Sequence, residues 1–325
     1  MVHVSRCRER ATRILALVAA LIFGVALGAD VSLAEEAAVK QKLFETPEAA
    51  FAGLMAAIGA GDEQAKLDIL GHEHADLVVQ SDKEATRESD RKIFAAYEEY
   101  SDVAVVDGTR ATLTIGSLGW PFPIAVVREE GGWRFDTENG KQEIINRRVG
   151  RDELAIIELF RDYGDAQIEY ASEDRDGDEV LEYAQRLIST EGEKDGLYWK
   201  VAAGSDEEES PFGPLVAAAS DYLRGKDESS PYMGYYVRVL TRQGANPPGG
   251  AYDYVINGNM IAGFGLLAYP ADYGSSGVMT FVVNHQGKIY QKDLGEKTAE
   301  IASKIDAYDP DATWTLVQEV EDTLE

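Results

Sequence analysis

Acidic side chains recur at alternate positions in one short segment, Asp174-Arg175-Asp176-Gly177-Asp178-Glu179-Val180-Leu181-Glu182. Calcium is a hard cation that takes about six to eight oxygen ligands from carboxylates, backbone carbonyls and water. The spacing predicts that Asp174, Asp176 and Asp178 supply side-chain ligands. It also predicts a backbone carbonyl ligand from Val180 and a further oxygen from Glu182. Calcium is therefore the one cofactor that this sequence supports.

This segment departs from the EF-hand type of calcium loop at two positions. Glu179 stands where the sharp turn favours glycine, and Gln185 stands at the position where a bidentate glutamate is usual. The alternative to metal binding is a solvated turn between two helices, in which Asp178 is the N-cap of the second helix.

A second set of candidate residues is aromatic and lies between Tyr232 and Tyr273. Side chains on a strand alternate between its two faces, so Tyr235 and Tyr252 are predicted to line a groove that stacks on sugars or peptides. The alternative is that these tyrosines pack within a sheet and place their hydroxyls at its rim.

Other reactive arrangements carry weaker signals. His72, His74 and Asp76 could hold zinc from one face of an extended segment, but the helical His-Glu-x-x-His spacing is absent and a polar loop is favoured. His285 lies in a hairpin-turn composition, which predicts a surface turn. The Gly-x-Ser-x-Gly signature of serine hydrolases does not occur. The sequence therefore assigns no catalytic residue.

The first residues have the features of a signal peptide. Four arginines precede an uncharged apolar run over residues 14–29, and the small residues Ser32 and Ala34 supply a cleavage pattern. Cleavage after Ala34 would remove Cys7, the chain's single cysteine, and leave a thiol-free mature protein with no stable membrane span. This predicts a periplasmic or secreted location, and the alternative is an uncleaved N-terminal anchor.

The chain is strongly acidic, with a formal charge of −27. Removal of the signal peptide takes away four basic and two acidic side chains, which leaves 27 basic and 56 acidic ones and a charge of −29. Affinity for nucleic acid without sequence preference comes from lysine and arginine on phosphates. The composition therefore predicts no nucleic-acid partner. The predicted export makes an unidentified cell-envelope protein or glycan the expected partner.

Helices packed on an antiparallel sheet are predicted for the N-terminal half. Thr46 and Pro47 have the residue types preferred at the N-cap and first position of a helix, and Asp107-Gly108 and Gly131-Gly132 are turn sequences. The predicted helices span 47–58, 63–70 and 84–100, and the predicted strands span 103–106, 111–115, 122–127 and 133–135.

A second domain is predicted to begin at Gly150, after a short helix over 141–148. Its helices are predicted over 152–171, 180–188 and 297–305. A further helix is predicted to end near Leu223. Its strands are predicted over 235–240, 252–256, 260–269, 278–283 and 288–291. The prediction is an α+β chain made of a signal peptide (1–34), an N-terminal domain (35–149) and a C-terminal domain (150–325).

Several segments together resemble one known family, the bacterial domain-of-unknown-function family 2950. They are Leu118-Gly119-Trp120-Pro121-Phe122-Pro123-Ile124, Gly131-Gly132-Trp133-Arg134-Phe135-Asp136, Glu143-Ile144-Ile145-Asn146-Arg147-Arg148, Gly249-Gly250-Ala251-Tyr252-Asp253-Tyr254 and Tyr290-Gln291-Lys292-Asp293-Leu294-Gly295. The resemblance covers nearly all of the mature chain. It implies an exported bacterial protein and supplies no catalytic residue.

Two likenesses at the level of fold accompany this resemblance. The first half is similar to the nuclear-transport-factor-two-like α+β fold, which hosts both enzymes and binding modules. The second half, a long helix followed by a strand meander, is similar to the globular heads of type IV pilin-like proteins.

The sequence favours a non-catalytic periplasmic binding or interaction module, with calcium as its possible stabilising ion. The first alternative is a cell-envelope hydrolase that uses pairs of carboxylates for acid and base catalysis, and it predicts a buried carboxylate with a raised pKa. The second alternative is a pilin-like structural subunit, which predicts an uncleaved N-terminal helix and self-association.

Overall fold

The computed structural model describes residues 40–79, 83–201, 208–213 and 231–318. The predicted signal peptide and the helix predicted to end near Leu223 lie outside these residues. The described residues from Lys40 onward belong to one compact unit. Its helices are α1 (Pro47–Ala60), α2 (Glu63–Leu70), α3 (Ala75–Val78), α4 (Lys83–Glu99), α5 (Thr137–Tyr170) and α6 (Thr298–Ala302), and short 3₁₀ turns span His72–His74 and Gly295–Lys297.

Capping hydrogen bonds and backbone conformation fix the ends of the first helices. The Thr46 side chain accepts a hydrogen bond from the Ala49 N–H, and Pro47 occupies the first turn of α1. Gly61 ends α1 in a left-handed conformation with φ of 65°, which glycine adopts without a steric penalty. Asp62 caps α2 in the same way as Thr46 caps α1. The predictions for these two helices are confirmed.

An antiparallel sheet follows the helices. Its strands are β1 (Ser101–Val106), β2 (Arg110–Ile115), β3 (Trp120–Pro121), β4 (Val126–Glu129) and β5 (Gly132–Phe135), in the order β1-β2-β4-β5, with β3 paired to β2. The predicted strand over 122–127 is wrong in its first half. The Phe122 N–H still donates to the Leu113 carbonyl of β2 at 2.8 Å. Pairing with β2 then restarts at Val126, because Pro123 has no N–H to continue the ladder.

The first hydrophobic core lies between α1 and α2 and this sheet. The Phe51 ring meets the rings of Phe122 and Phe135 edge to face, with centroids 6.4 and 5.5 Å apart. Leu54, Met55 and the inward residues of β2 fill the rest of the core. Alternate burial along β2 matches the two-residue period of a strand with one covered face.

Helix α5 is one continuous element of 34 residues. The sequence predicted two helices separated at Gly150, and this prediction is wrong, because Gly150 lies in the interior of α5. The division into domains at residues 149 and 150 stays a prediction.

The segment after α5 is irregular. The helix predicted over 180–188 is absent, because the backbone there pairs with distant chain instead. The Tyr183 N–H donates to the Met260 carbonyl at 2.8 Å, and the Leu187 carbonyl accepts the Tyr198 N–H at 2.9 Å. Intramolecular pairing of this kind satisfies the backbone groups that a helix would otherwise satisfy.

The strands of the C-terminal sheet are β6 (Tyr235–Leu240), β11 (Gly265–Pro270), β12 (Met279–Asn284), β13 (Tyr290–Asp293) and β14 (Thr315–Leu316). Their order is β14-β13-β12-β11-β6, and the sheet is antiparallel throughout. Two small pairs accompany it, β7 (Arg242–Gln243) with β8 (Tyr252–Asp253) and β9 (Val255–Ile256) with β10 (Asn259–Met260). The predicted meander is thus confirmed in position, with its longer strands broken into shorter ones.

The two faces of the C-terminal sheet contribute to different cores. Leu266, Ala268 and Phe281 pack with Phe160 and Tyr163 of α5, whereas Leu267, Val282 and Leu240 pack with Tyr308. The chain therefore has the α+β class that the sequence predicted. The likenesses to the nuclear-transport-factor-two-like fold and to pilin heads stay predictions. Within the described ranges, we find no helix with the length and apolar character that a membrane crossing needs.

Candidate functional site

The three predicted aspartate ligands come together in the loop that follows α5. One carboxylate oxygen from each of Asp174, Asp176 and Asp178 lies within 4.8 Å of the others, and all three side chains are exposed. Oxygens bound to one calcium ion at about 2.4 Å can be at most about 4.8 Å apart. The donor set and its separation therefore fit a calcium ion.

Asp174 organises the backbone of this loop, residues 174–182, which we call the acidic loop. Its two carboxylate oxygens accept hydrogen bonds from the Gly177 N–H at 2.8 Å and the Glu179 N–H at 2.9 Å. These hydrogen bonds hold the pKa of Asp174 below its usual value. Glu179 adopts the left-handed conformation, with φ of 68°, at the position where the sequence pattern favours glycine.

Asp178 is not the cap of a following helix, so this alternative interpretation is wrong in that respect. Its Oδ1 accepts the Val180 N–H at 2.8 Å, and its Oδ2 accepts a hydrogen bond from the Asn259 side-chain amide at 2.6 Å. Asn259 begins β10. The acidic loop is thereby connected to the turn between β9 and β10.

Glu182 has a different position from the three aspartates. It is absent from the group of oxygens within 4.8 Å, and its Oε2 accepts the Met260 N–H at 2.9 Å. Burial raises the pKa of Glu182, and the negative charges of Asp176 and Asp178 raise it further. Glu182 thus holds β10 directly, and its predicted role as a metal ligand stays a prediction.

Gln185 also contacts the turn between β9 and β10, because its side-chain amide donates to the Gly258 carbonyl at 2.6 Å. Asp178, Glu182 and Gln185 therefore hold three consecutive residues of one turn, Gly258, Asn259 and Met260. Sequence reasoning missed Asn259, because it is 81 positions from its partner Asp178.

Arg175 fixes the other side of the acidic loop, and sequence reasoning missed this residue too. Its side chain is only 4 % exposed and makes an ion pair with Glu208 at 2.7 Å. The guanidinium lies over the rings of Tyr170 and Trp199, 5.2 Å from each centroid. The guanidinium is planar, so it can stack on aromatic rings and bind a carboxylate at the same time.

An open depression of about 470 Å³ adjoins the acidic loop. Among the described residues that line it, three are acidic, namely Asp176, Glu182 and Asp195, and Arg186 is basic. The local charge therefore favours a cationic or hydroxyl-bearing molecule over an anionic one.

The structure does not place Tyr235 and Tyr252 together in one groove. Tyr235 is fully buried and packs against Phe281, with ring centroids 6.1 Å apart. The prediction that Tyr235 lines a surface groove is wrong, because the Tyr235 side chain lies on the buried face of β6. Tyr252 is 36 % exposed beside Tyr254, and its binding role stays a prediction.

The histidines do not form a metal site among the described residues. His72 pairs with Asp68 at 2.9 Å, and Asp76 pairs with Lys141 at 2.6 Å. His285 is partly buried, and its ring meets those of Tyr254 and Phe264 edge to face. The predicted turn is present at His285, and partial burial of the side chain lowers its pKa.

Raised carboxylate pKa values occur at two positions of α5. Burial raises the pKa of Asp152 and that of Asp162. The two residues lie ten positions apart on one helix, which separates them by about 15 Å along its axis. They therefore form no acid and base pair with each other, and the hydrolase alternative stays a prediction.

Comparison with known proteins identifies a family for this chain. A family model described as "Protein of unknown function (DUF2950)" matches residues 41–317. No curated protein and no solved structure matches the chain.

Proposed function

Because the chain belongs to the DUF2950 family, whose description states no activity, we propose a function from its geometry. The protein is an exported, non-catalytic binding or interaction module of the bacterial periplasm, and a calcium ion in the acidic loop stabilises its C-terminal half. Asp174, Asp176 and Asp178 hold the ion, and the Val180 carbonyl and Glu182 complete the set of protein oxygens. The partner is a cell-envelope protein or glycan.

The convergence of three carboxylates on one exposed loop is the observation that carries this proposal. Three like charges this close repel one another, and a bound cation offsets that repulsion. Arg175 holds one side of the loop and the turn between β9 and β10 holds the other. A cation that orders the loop would therefore stabilise α5, the loop and the small β9–β10 pair together.

The test is thermal unfolding of the mature protein in 1 mM calcium chloride and in a chelator. A ligand present at about 100 times its Kd stabilises the native state by about 2.7 kcal/mol, so we expect a midpoint several degrees higher in calcium. Asp176→Asn keeps the size of the side chain and removes one ligand charge. We expect this variant to lose the calcium-dependent shift.

Asp165→Asn is the matched control. It makes the same chemical change at an exposed position of α5, outside the acidic loop. It should keep the full shift. An equal midpoint in calcium and in chelator for the unsubstituted protein would remove calcium from the proposal. Magnesium at the same concentration should give a smaller shift, since it requires tighter octahedral coordination.

Export has its own test. N-terminal sequencing of the protein from the periplasmic fraction of its host should give a chain that begins at Glu35, directly after the predicted cleavage at Ala34. A chain that still begins at Met1 in the cytosol would remove the periplasmic location and the cell-envelope partners.

A further inference from the structure

A cavity of about 560 Å³ lies in the N-terminal half of the described structure. Helices α1 to α4 form one side, and the loop between β3 and β4 and the first half of α5 form the other. Its size falls within the range of roughly 300–1,000 Å³ that is usual for small-molecule sites. None of its lining residues belongs to the acidic loop, so this cavity is separate from the candidate calcium site.

The interior of the cavity is apolar. Leu54 and Ile58 of α1, Ile93 of α4, and Phe122 and Ile124 line it. Helix α4 has no fully buried residue along its 17 positions, although Ile93, Phe94 and Tyr97 form an inward stripe against the first core. An apolar molecule in the cavity would cover the part of this stripe that faces it and gain free energy from the area removed from water.

The charged residues that line the cavity are mostly basic. Arg147, Arg148 and Arg151 lie on α5, and Lys66 lies on α2, whereas Asp90 is the one acidic residue among the described residues that line it. Lys66 is already paired with Asp90 at 2.8 Å, and both side chains are largely buried. Three arginines therefore give this cavity a positive lining in a chain whose formal charge is −27.

The three arginines differ in how strongly other residues of the protein bind their guanidinium groups. Arg147 binds Glu143 at 2.7 Å and stacks on Trp120, and Arg148 donates to the side chain and the carbonyl of Ser275. Arg151 is 73 % exposed, and its distance to Asp152 is 3.7 Å. Arg151 thus has donors directed to solvent that an anionic head group can accept from.

We propose that this cavity binds a small anionic amphiphile, with its apolar chain among the α1, α4 and β3–β4 side chains and its head group at Arg148 and Arg151. The head group is a carboxylate or a phosphate, since the guanidinium fork binds either. This inference goes beyond the proposed function, because it assigns a second site on different elements and names its ligand class.

The test is titration calorimetry of the mature protein in calcium-free buffer with decanoate, hexanoate, decyl phosphate and inorganic phosphate. We expect one saturable site for decanoate and for decyl phosphate. Each buried methylene contributes about 0.8 kcal/mol, so hexanoate should bind on the order of 100-fold more weakly than decanoate. Inorganic phosphate alone should show no saturable binding.

Charge and location are tested by variants. Arg148→Gln combined with Arg151→Gln should weaken decanoate binding on the order of tenfold at low salt. Lys304→Gln is the matched control, because Lys304 is 71 % exposed in the C-terminal half, and it should leave decanoate binding unchanged. Ser89→Trp places a large ring at an exposed lining position of α4 and should abolish binding, whereas Ala95→Trp at an exposed position outside the lining should not.

Three results would overturn the proposal. The first is no saturable binding of either ten-carbon amphiphile. The second is equal affinity for decanoate and decyltrimethylammonium, which would show that the arginines do not select charge. The third is unchanged binding in Ser89→Trp with an unchanged circular dichroism spectrum, which would place the ligand elsewhere. A calcium-dependent midpoint is independent of all three, so the two proposals fail separately.

Discussion

Gln167 connects α5 to the irregular segment that follows the acidic loop. The side chain is fully buried. Its amide nitrogen donates to the Tyr163 hydroxyl and to the Ala184 carbonyl, both at 2.9 Å, and its amide oxygen accepts the Ala184 N–H at 2.8 Å. One side chain thereby satisfies both backbone groups of Ala184, as a neighbouring strand would.

Replacing Gln167 with leucine is expected to lower the free energy of unfolding by about 2–4 kcal/mol. The variant leaves the N–H and the carbonyl of buried Ala184 without partners, and each unsatisfied group costs about 1–3 kcal/mol. Urea unfolding followed by circular dichroism measures the change. Gln142→Leu is the control, because Gln142 is exposed on the same helix and bonds Asn146, and its effect should stay within about 0.5 kcal/mol. A loss below about 1 kcal/mol at Gln167 would contradict this account.

At the scale of residues, the sequence predicted what is local. The aspartates at alternate positions meet because one short loop brings them together, and no distant partner is needed. Arg175 and Asn259 carried no such signal. The position of the Arg175 side chain depends on its contacts with the Tyr170 and Trp199 rings and with Glu208, and these residues meet only in the folded chain. Tyr235 was assigned to the wrong face because alternation along a strand fixes two faces without saying which one is covered.

At the scale of elements, α5 joins both halves of the described structure. At its start, the Thr137 hydroxyl donates to the Leu70 carbonyl at 2.6 Å. Midway, the Glu153 Oε1 accepts the N–H groups of Val278 and Met279, each at 2.9 Å. Further on, Phe160 packs against the C-terminal sheet. Contacts along the whole helix outweigh the cost of a glycine in its interior, about 1 kcal/mol.

Gly150→Ala and Gly164→Ala are each expected to raise the free energy of unfolding by about 0.5–1 kcal/mol. An added Cβ at either position meets no heavy atom within 4 Å, and alanine loses less backbone entropy in a helix than glycine does. Thermal unfolding measures the gain. Gly140→Ala is the control on the same helix, since its Cβ would lie 2.7 Å from the Ile124 side chain. It should be destabilising, and a stabilising Gly140→Ala would contradict the packing described.

At the scale of the whole molecule, charge of one sign dominates. The formal charge of −27 acts against the compact state through mutual repulsion. Exposed ion pairs such as Lys92 with Glu88 and Lys304 with Glu300 contribute little against this, because water and salt screen them. Salt weakens both the repulsion between carboxylates and the attraction within ion pairs. Because negative charges outnumber positive ones, the repulsion is the larger of the two energies.

Raising sodium chloride from about 0.02 M to about 0.3 M in the presence of chelator is therefore expected to raise the unfolding midpoint. At the higher concentration the Debye length falls below about 8 Å, so repulsion between distant carboxylates is largely screened. Calorimetry measures the midpoint, and potassium chloride should give the same rise, because screening depends on ionic strength alone. A midpoint that falls with salt would show that ion pairs outweigh the repulsion.

The sequence by itself determined the features that depend on neighbouring residues. The cap of α1, the strands β2, β5 and β6 and the acidic loop follow from residue types within a few positions, where propensity and hydrogen bonding are local. The tertiary structure alone decided the unbroken course of α5 and the absence of a helix over 180–188. It also decided which face of β6 is buried and where an apolar cavity forms beside three arginines. Each of these depends on contacts between residues far apart in the chain, whose energies exceed local preferences of about 1 kcal/mol.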